Sequence, residues 1–334
     1  MRRILFSFAA LVVFGSLAAA CGDEDATPKL TPVSVVLDWT PNTNHGGLYL
    51  AQQQGLYKKA GLDVTIIEPG ANGGLPMLVA GEANFAVSAA ESLLAARVEG
   101  ADVVSVGAIL AHNTSSLVIP ADRGVRSAKD LQGKTYGGYG SELEKALVDE
   151  LVRCDGGDPA KVNYVEVGNV DYEVGFAQNH YDAVWVFDGW DVIRMRDLDG
   201  LAITTIPFLG STGKPACIPD WYTPLLAASG TMLKEQPELV KSFLQATAAG
   251  YEKARTDPKA AAAALLGTVP ELDRELVERS AVYLATRFGH ETKAWGVQDP
   301  VIWNQFGAFL KERKLLPADI KLDAAFTNDF LPRS

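Results

Sequence analysis

The sequence predicts an α/β fold made of two lobes with a ligand cleft between them. Short β-branched runs alternate with helical spacing along most of the chain, which is typical of mainly parallel sheets. The 334 residues exceed what one hydrophobic core usually supports, so two lobes are expected. From residue 231 onward the chain is poor in strands, and we expect this helical tail to pack on the first lobe.

The predicted elements follow one another with short connections. In the first lobe we predict strands at 33–39, 63–67, 85–88 and 103–109, with helices at 47–60 and 93–99. In the second lobe we predict strands at 134–139, 162–167 and 182–187. A helix is predicted to begin at Ser141, where Ser141 and Glu144 have the spacing of a capping box.

The chain is expected to cross between the lobes twice. A strand at 225–228 precedes four predicted helices, at 231–253, 258–266 (with Asp257 as its cap), 272–288 and 299–314. We expect the chain to leave the first lobe near 117–121 and to return near 222–228. Lobe I is then predicted to comprise residues 33–118 and 225–334, and lobe II residues 119–224.

The first residues have the pattern of an export signal. Arg2 and Arg3 precede an apolar run, 4–20, which ends in small residues before Cys21. We predict a signal peptide at 1–20, lipid modification of Cys21, and a polar tether at 21–32. A plain cleaved signal and an N-terminal membrane anchor are the alternatives. All three place the folded part outside the cytoplasm, and the lipoprotein interpretation anchors it to the cell membrane.

Composition argues against several classes of protein. The chain has 41 acidic and 30 basic residues, a net charge of −11 that does not favour nucleic-acid binding. Three cysteines are too few for a disulfide scaffold, and Cys154 and Cys217 are expected either to pair or to remain buried thiols. Phosphate-binding glycine loops, nucleophile elbows and helical zinc motifs are missing from the sequence. We expect no cofactor, no metal site and no catalytic residue.

Aromatic and polar residues cluster where predicted strands end. Ligands bind at that edge of open α/β sheets. Stacking on indole and phenol faces favours a flat heteroaromatic ligand, whose ring amines would donate to carboxylates. Packing in the core or capping of a helix would also explain each residue taken singly. The candidate ligand-binding residues are Asp38, Trp39, Asn42, His45, Glu91, Tyr139, Ser141, Trp185, Asp188, Trp190 and Tyr222.

Several of these stretches resemble the NMT1/THI5-like family. The resemblance is carried by 36–45 (VLDWTPNTNH), 133–141 (GKTYGGYGS) and 185–190 (WVFDGW), and it extends over about 33–332. A further similar stretch, 112–115, adds Asn113 to the candidates. The resemblance implies a type-2 periplasmic-binding fold that closes over one small molecule. It also implies that Trp39 and Tyr139 stack on a pyrimidine whose amine is bound by Glu91.

The resemblance leads to a leading hypothesis and three alternatives. The first is a monomeric binding protein that delivers a thiamine precursor, of the formylaminopyrimidine or hydroxymethylpyrimidine type, to the permease and ATPase of an ABC importer. The second is a riboflavin-binding importer component, because residues 88–90 have small side chains and Asp188 stands where a tyrosine is expected. The third is a pyrimidine-synthesising enzyme, although the chain has no cysteine between Cys21 and Cys154. The fourth is a sensor or adhesion module.

Overall fold

Two five-stranded sheets form the framework of the protein. The computed structural model describes residues 29–70, 73–168, 170–210, 216–289 and 294–333. The predicted signal peptide and Cys21 lie outside these residues. Among the described helices, none has the length and apolarity needed to cross a membrane.

Sheet A contains the first four strands and the last one. The order across the sheet is β2-β1-β3-β10-β4. Strands β1 to β4 run in the same direction, and β10 is antiparallel to both of its neighbours. The strands are β1 (Thr31–Val36), β2 (Leu62–Ile67), β3 (Phe85–Ser88), β4 (Val103–Ala108) and β10 (Leu225–Ser229).

Sheet B contains the five central strands, in the order β7-β6-β8-β5-β9. Strands β6, β7 and β8 are parallel, whereas β5 is antiparallel to β8 and β9. The strands are β5 (Ser115–Pro120), β6 (Thr135–Gly138), β7 (Asn163–Glu166), β8 (Ala183–Phe187) and β9 (Ile203–Pro207).

Eleven α-helices are present in the described ranges, and a π-helix, Asp188–Leu198, follows β8. The α-helices are α1 (Gly46–Gln53), α2 (Leu56–Lys59), α3 (Leu75–Val79), α4 (Ala90–Val98), α5 (Glu142–Cys154), α6 (Tyr172–Ala177), α7 (Gly230–Glu235), α8 (Pro237–Thr256), α9 (Pro258–Thr268), α10 (Arg274–Ala285) and α11 (Pro300–Glu312).

The two α/β sheets confirm the predicted fold class, but they are mixed and not mainly parallel, because four of the eight strand pairs are parallel and four are antiparallel. Residues of α8, α9 and α10 share one buried core with β1, β3 and β10 of sheet A, whereas residues of α11 belong to a second core that also contains residues of sheet B. The two antiparallel strands, β5 and β10, are the ones that follow the two connections between the sheets. Because β5 already lies in sheet B, that sheet begins at residue 115, before the start of lobe II predicted at 119.

Two predicted helices are broken in the structure. The helix predicted at 47–60 divides into α1 and α2 at Gly55, whose φ of 65° is left-handed and favours glycine. The helix predicted at 231–253 divides at Gln236, because Pro237 lacks an N–H and begins α8 instead. The cap predicted for α9 is confirmed, since the Asp257 side chain accepts from the Ala260 N–H.

Cys154 and Cys217 form a disulfide, with their Cα atoms 5.9 Å apart. It joins the last residue of α5 to the segment that returns toward sheet A. Of the two alternatives open at the sequence level, pairing is therefore the one observed. The bond closes a loop that contains β7, β8, β9 and the π-helix.

Candidate ligand-binding site between the two sheets

The carboxyl-terminal edges of the two sheets meet at the crossovers. In sheet A, β10 pairs Leu225 with Ser88 and Ala108, so the chain re-enters beside the ends of β3 and β4. In sheet B, β5 pairs Ser115 with Phe187, so the chain arrives beside the end of β8. The loops that follow β1, β3, β4, β6 and β8 are therefore brought to one region between the sheets. This is where the predicted site residues lie in the sequence.

The loop after β1 is held together by its own side chains. The backbone N–H of Asn42 donates to His45 Nδ1 at 3.2 Å, which leaves the ring proton on Nε2. That nitrogen contacts Asp38 Oδ1 at 2.8 Å. The Asn42 side chain caps the following turn by accepting from Asn44 N–H at 2.9 Å. Asn42 and His45 are buried, so their polar groups shape this loop.

Two aromatic rings at the sheet edges remain open to solvent. Trp39 is 37% exposed on the loop after β1, and Tyr139 is 54% exposed on the loop after β6. The backbone N–H of Tyr139 donates to Glu144 Oε2 at 2.7 Å. Each sheet thus presents one predicted stacking residue with a free face.

Glu91 lies in the first turn of α4, directly after β3. Its Oε2 atom is buried and makes no hydrogen bond of normal geometry with the described residues. Burial raises the pKa of the Glu91 carboxyl to about 7, against smaller lowering effects of its own backbone N–H and of the Trp221 indole. A carboxyl in this state can both accept a hydrogen bond and, when protonated, donate one.

Other buried polar atoms in the same region also lack partners among the described residues. Trp185 and Trp221 meet edge to face, with ring centroids 6.0 Å apart, and the Trp185 Nε1 atom makes no hydrogen bond with the described residues. An orphaned polar atom is costly in the interior, so such a group indicates a place for a ligand or water. Asn113 Nδ2 and Trp185 Nε1 are the unpaired atoms here, whereas Trp221 interacts with the Glu91 carboxyl and Ser116 with the Asp188 carboxyl, in each case without a hydrogen bond of regular geometry.

The crossovers themselves are tied together by Asp220. Its Oδ1 atom accepts from the Asn113 N–H at 3.0 Å, and its Oδ2 atom contacts His112 Nδ1 at 2.6 Å. Asn113 Oδ1 in turn accepts from the Ser115 N–H at 2.7 Å. The Asn113 amide oxygen is therefore committed to the start of β5, whereas its Nδ2 group is the part left for a ligand.

Ser141 caps α5 as predicted, but the second half of the capping box is not formed. Ser141 Oγ accepts from the Glu144 N–H at 3.1 Å. The Glu144 carboxylate accepts instead from the Tyr136 hydroxyl at 2.6 Å and from Tyr139 N–H. Ser141 lines a small cavity of about 160 Å³ between β6, β7 and α5.

Asp188 begins the π-helix and borders a second cavity. This space of about 310 Å³ lies between the π-helix, β9 and α10, and Arg196, Arg279 and Tyr283 also line it. Burial raises the pKa of Asp188. The remaining predicted site residues line neither of these two cavities.

Tyr222 does not offer its ring to the space between the sheets. Tyr222 is fully buried, its ring packs against Trp303, and its hydroxyl accepts from the Asp299 N–H at 2.7 Å. Trp190 is half-buried and packs against the core beneath sheet A. For Tyr222 the structure favours the packing alternative, whereas Trp190 stays a predicted ligand contact.

Trp221 and Ser116, which interact with the carboxyls of Glu91 and Asp188, were not among the predicted site residues. Trp221 stacks on Phe306 with ring centroids 5.2 Å apart. Its neighbour Tyr222 was the candidate chosen from this stretch. The position of Trp221 beside the predicted crossover was a usable signal. Ser116 offered no such signal in the sequence, because the strand that carries it was interpreted as a connection.

Among the described residues, no group of three or more His, Cys, Asp or Glu side chains is placed to hold a metal ion.

Comparison with known proteins identifies the fold class and then the family. The structure matches the alkanesulfonate-binding protein SsuA from Xanthomonas axonopodis with a TM-score of 0.67 and 17% identity, over 90% of this chain and 99% of that one. The fold is therefore that of the periplasmic binding proteins, with two α/β lobes. Residues 42–261 match the family model described as NMT1/THI5 like, and the chain belongs to this family.

Two relatives cover nearly the whole chain. A protein of Halalkalibacterium halodurans named formylaminopyrimidine-binding protein is 25% identical over 97% of this chain and 98% of its own length. A protein of Legionella pneumophila named 4-amino-5-hydroxymethyl-2-methylpyrimidine phosphate synthase is 26% identical over 90% of this chain and 92% of its own length. The family thus includes proteins named for binding and for synthesis of related pyrimidines.

Proposed function

We propose that this chain is the extracytoplasmic solute-binding protein of an ABC importer and that it captures a thiamine pyrimidine precursor between its two sheets. The observation that carries the proposal is a group of buried polar atoms without a hydrogen bond of regular geometry, Glu91 Oε2, Asn113 Nδ2 and Trp185 Nε1. They include an acceptor and N–H donors, which is what the edge of an aminopyrimidine requires. The formylaminopyrimidine-binding relative from H. halodurans, similar over almost the full length, supports the same ligand class.

The proposed binding mode assigns separate tasks to the two kinds of residue. Trp39 and Tyr139 stack on the ring, while Glu91 binds its exocyclic amine and the Trp185 indole N–H binds one of its acceptors. Asn113 and Asp188 bind substituents near the crossover. A ligand that contacts both sheets stabilises the closed arrangement because it binds that arrangement more strongly than the open one. The permease and ATPase then recognise the closed protein.

A thermal-shift and calorimetry panel on the purified full chain tests this function. The panel contains formylaminopyrimidine, hydroxymethylpyrimidine, thiamine and riboflavin. Ligand at about a thousand times its Kd adds about 4 kcal/mol to the stability of the folded state. A shift with either pyrimidine supports the proposal. A shift with riboflavin alone keeps the transport role and changes the ligand, and the absence of any shift contradicts the ligand class.

A synthase is the second candidate, because the L. pneumophila relative carries that name. The chain has no cysteine between Cys21 and Cys154, whereas the fungal enzymes of the family resemble one another in a cysteine-rich run. Expression of the chain in the cytoplasm of a strain that requires the pyrimidine separates the two functions. Growth without added pyrimidine would favour synthesis, and continued dependence together with tight binding favours capture.

The proposed membrane anchor rests on Cys21 and the apolar run before it. Cys21→Ala removes the acceptor of the lipid, so the variant is expected in the soluble extracytoplasmic fraction, while the wild type stays with the membrane. Retention of the variant at the membrane would contradict the lipoprotein hypothesis and favour an uncleaved N-terminal anchor.

A further inference from the structure

Three segments far apart in the sequence are connected by two side-chain hydroxyls. Ser280, in α10, donates a hydrogen bond to the backbone carbonyl of Gly189, the second residue of the π-helix. The same Ser280 oxygen contacts the hydroxyl of Thr43, in the loop that follows β1. Ser280 and Thr43 are both buried. The connection therefore runs from sheet A through α10 to the element that leaves sheet B.

The direction of the hydrogen bonds follows from the number of protons. A serine hydroxyl has one proton, and Ser280 gives it to the Gly189 carbonyl. Thr43 must then be the donor to Ser280 Oγ. Each hydroxyl consequently has one defined role, and loss of either breaks the connection between Thr43 and Gly189.

The surrounding packing places this connection at the contact between the two sheets. Residues of α10 belong to the core beneath sheet A, and Trp190, next to Gly189, packs against that same core. Gly189 permits the approach, because a Cβ atom at this position would lie 2.8 Å from Tyr283 Cδ1. The π-helix otherwise packs on sheet B, through Val192 and Met195. The hydroxyl connection is thus made only when the π-helix lies against α10.

We propose that Ser280 is a positioning residue for ligand capture, which holds the two lobes closed by linking the Thr43 loop to the carbonyl of Gly189. An interaction present in the closed arrangement and absent from the open one shifts the balance toward closure. The loop that contains Thr43 also carries Trp39, so closure and presentation of the stacking ring are coupled. This inference rests on the proposed function for its ligand but not for its geometry.

The experiment compares Ser280→Ala and Thr43→Val with a matched control. Thr247→Val removes a buried hydroxyl that contacts the Tyr57 hydroxyl at 3.0 Å entirely beneath sheet A. Thr43→Ser keeps the donor and serves as the conservative variant. Dissociation of formylaminopyrimidine is followed by stopped-flow fluorescence, and the radius of gyration of each ligand-free protein is measured by small-angle X-ray scattering.

We expect Ser280→Ala and Thr43→Val to raise the dissociation rate about five- to tenfold, with little change in the association rate, and to increase the ligand-free radius of gyration. Thr247→Val lowers the melting temperature without either effect, and Thr43→Ser behaves like the wild type. Unchanged dissociation and dimensions in both variants, or the same changes in Thr247→Val, would overturn the inference. If the wild type does not bind formylaminopyrimidine, the proposed ligand fails, while the scattering comparison still decides the role of Ser280.

Discussion

The Tyr136 hydroxyl donates a 2.6 Å hydrogen bond to Glu144 Oε1 and so orients the carboxylate that holds the loop after β6. The other oxygen of Glu144 accepts from the Tyr139 N–H. Both Tyr136 and Glu144 are buried. The strand, the loop and the first turn of α5 are therefore joined at one side chain.

Glu144→Gln should destabilise the protein, because an amide N–H would then face a hydroxyl or a backbone N–H that needs an acceptor. An unsatisfied buried group costs about 1–3 kcal/mol, which chemical denaturation will measure. We also expect weaker binding of the pyrimidine, since Tyr139 is displaced with its loop. Glu142→Gln, on the exposed side of the same helical turn, is the control. Equal stability of the two variants would show that the Glu144 contacts contribute little.

Trp39→Ala should lower affinity for the pyrimidine at least tenfold, about 1.4 kcal/mol by calorimetry. The ring is partly exposed, so the melting temperature should change little. Tyr222→Phe provides the opposite pattern, because it loses only the buried contact with the Asp299 N–H. That variant should melt earlier and bind normally. Normal affinity of Trp39→Ala would remove Trp39 from the site.

Glu91 should make stability fall as the pH rises. Its pKa is about 7 in the folded protein and near 4.5 in the unfolded chain, so the folded state binds more protons between these values. The stabilising effect of protonation is complete below about pH 4.5 and lost by about pH 7, on the order of 3 kcal/mol. Glu91→Gln should therefore gain stability relative to the wild type between pH 5 and pH 8. A constant difference across that range would show that the carboxyl titrates normally.

Removal of the disulfide should destabilise the protein by about 4 kcal/mol, the entropic value for a loop of 63 residues. The double variant Cys154→Ser/Cys217→Ser tests this by chemical denaturation. Wild-type protein in a reducing agent should show the same loss, and the double variant should not respond to reduction. If the reducing agent also destabilised the double variant, the loss of stability on reduction would not come from the Cys154–Cys217 disulfide.

The sequence predicted most strands because β-branched runs and turn residues define them locally. Strand β5 (Ser115–Pro120) was missed because most of it lies in the first predicted connection, 117–121, and only pairing with β8 and β9 defines it as a strand. The π-helix has no sequence periodicity of its own that we recognised. These elements depend on partners distant in the chain, which local patterns do not specify.

The candidate site was predicted as a set of strand ends, and the structure places those ends together. What the pattern could not distinguish was which aromatic ring lies in the core. Trp221 and Tyr222 are adjacent and both buried, yet the Tyr222 hydroxyl accepts from Asp299 N–H while the Trp221 indole interacts with the Glu91 carboxyl. Likewise the spacing of Ser141 and Glu144 indicated a cap, but Tyr136 and Tyr139 occupy the carboxylate instead. Which donor a carboxylate such as that of Glu144 accepts from depends on residues that only the folded structure brings next to it.

The position of β10 between β3 and β4 has a consequence for how the protein folds. A chain that has emerged only as far as residue 224 carries β3 and β4 without the strand that separates and pairs them. Each then exposes unpaired backbone groups, the kind of edge that promotes aggregation. Sheet A therefore becomes complete only after the whole of sheet B has been synthesised. A chaperone that shields such edges would have its greatest effect on this protein before β10 is available.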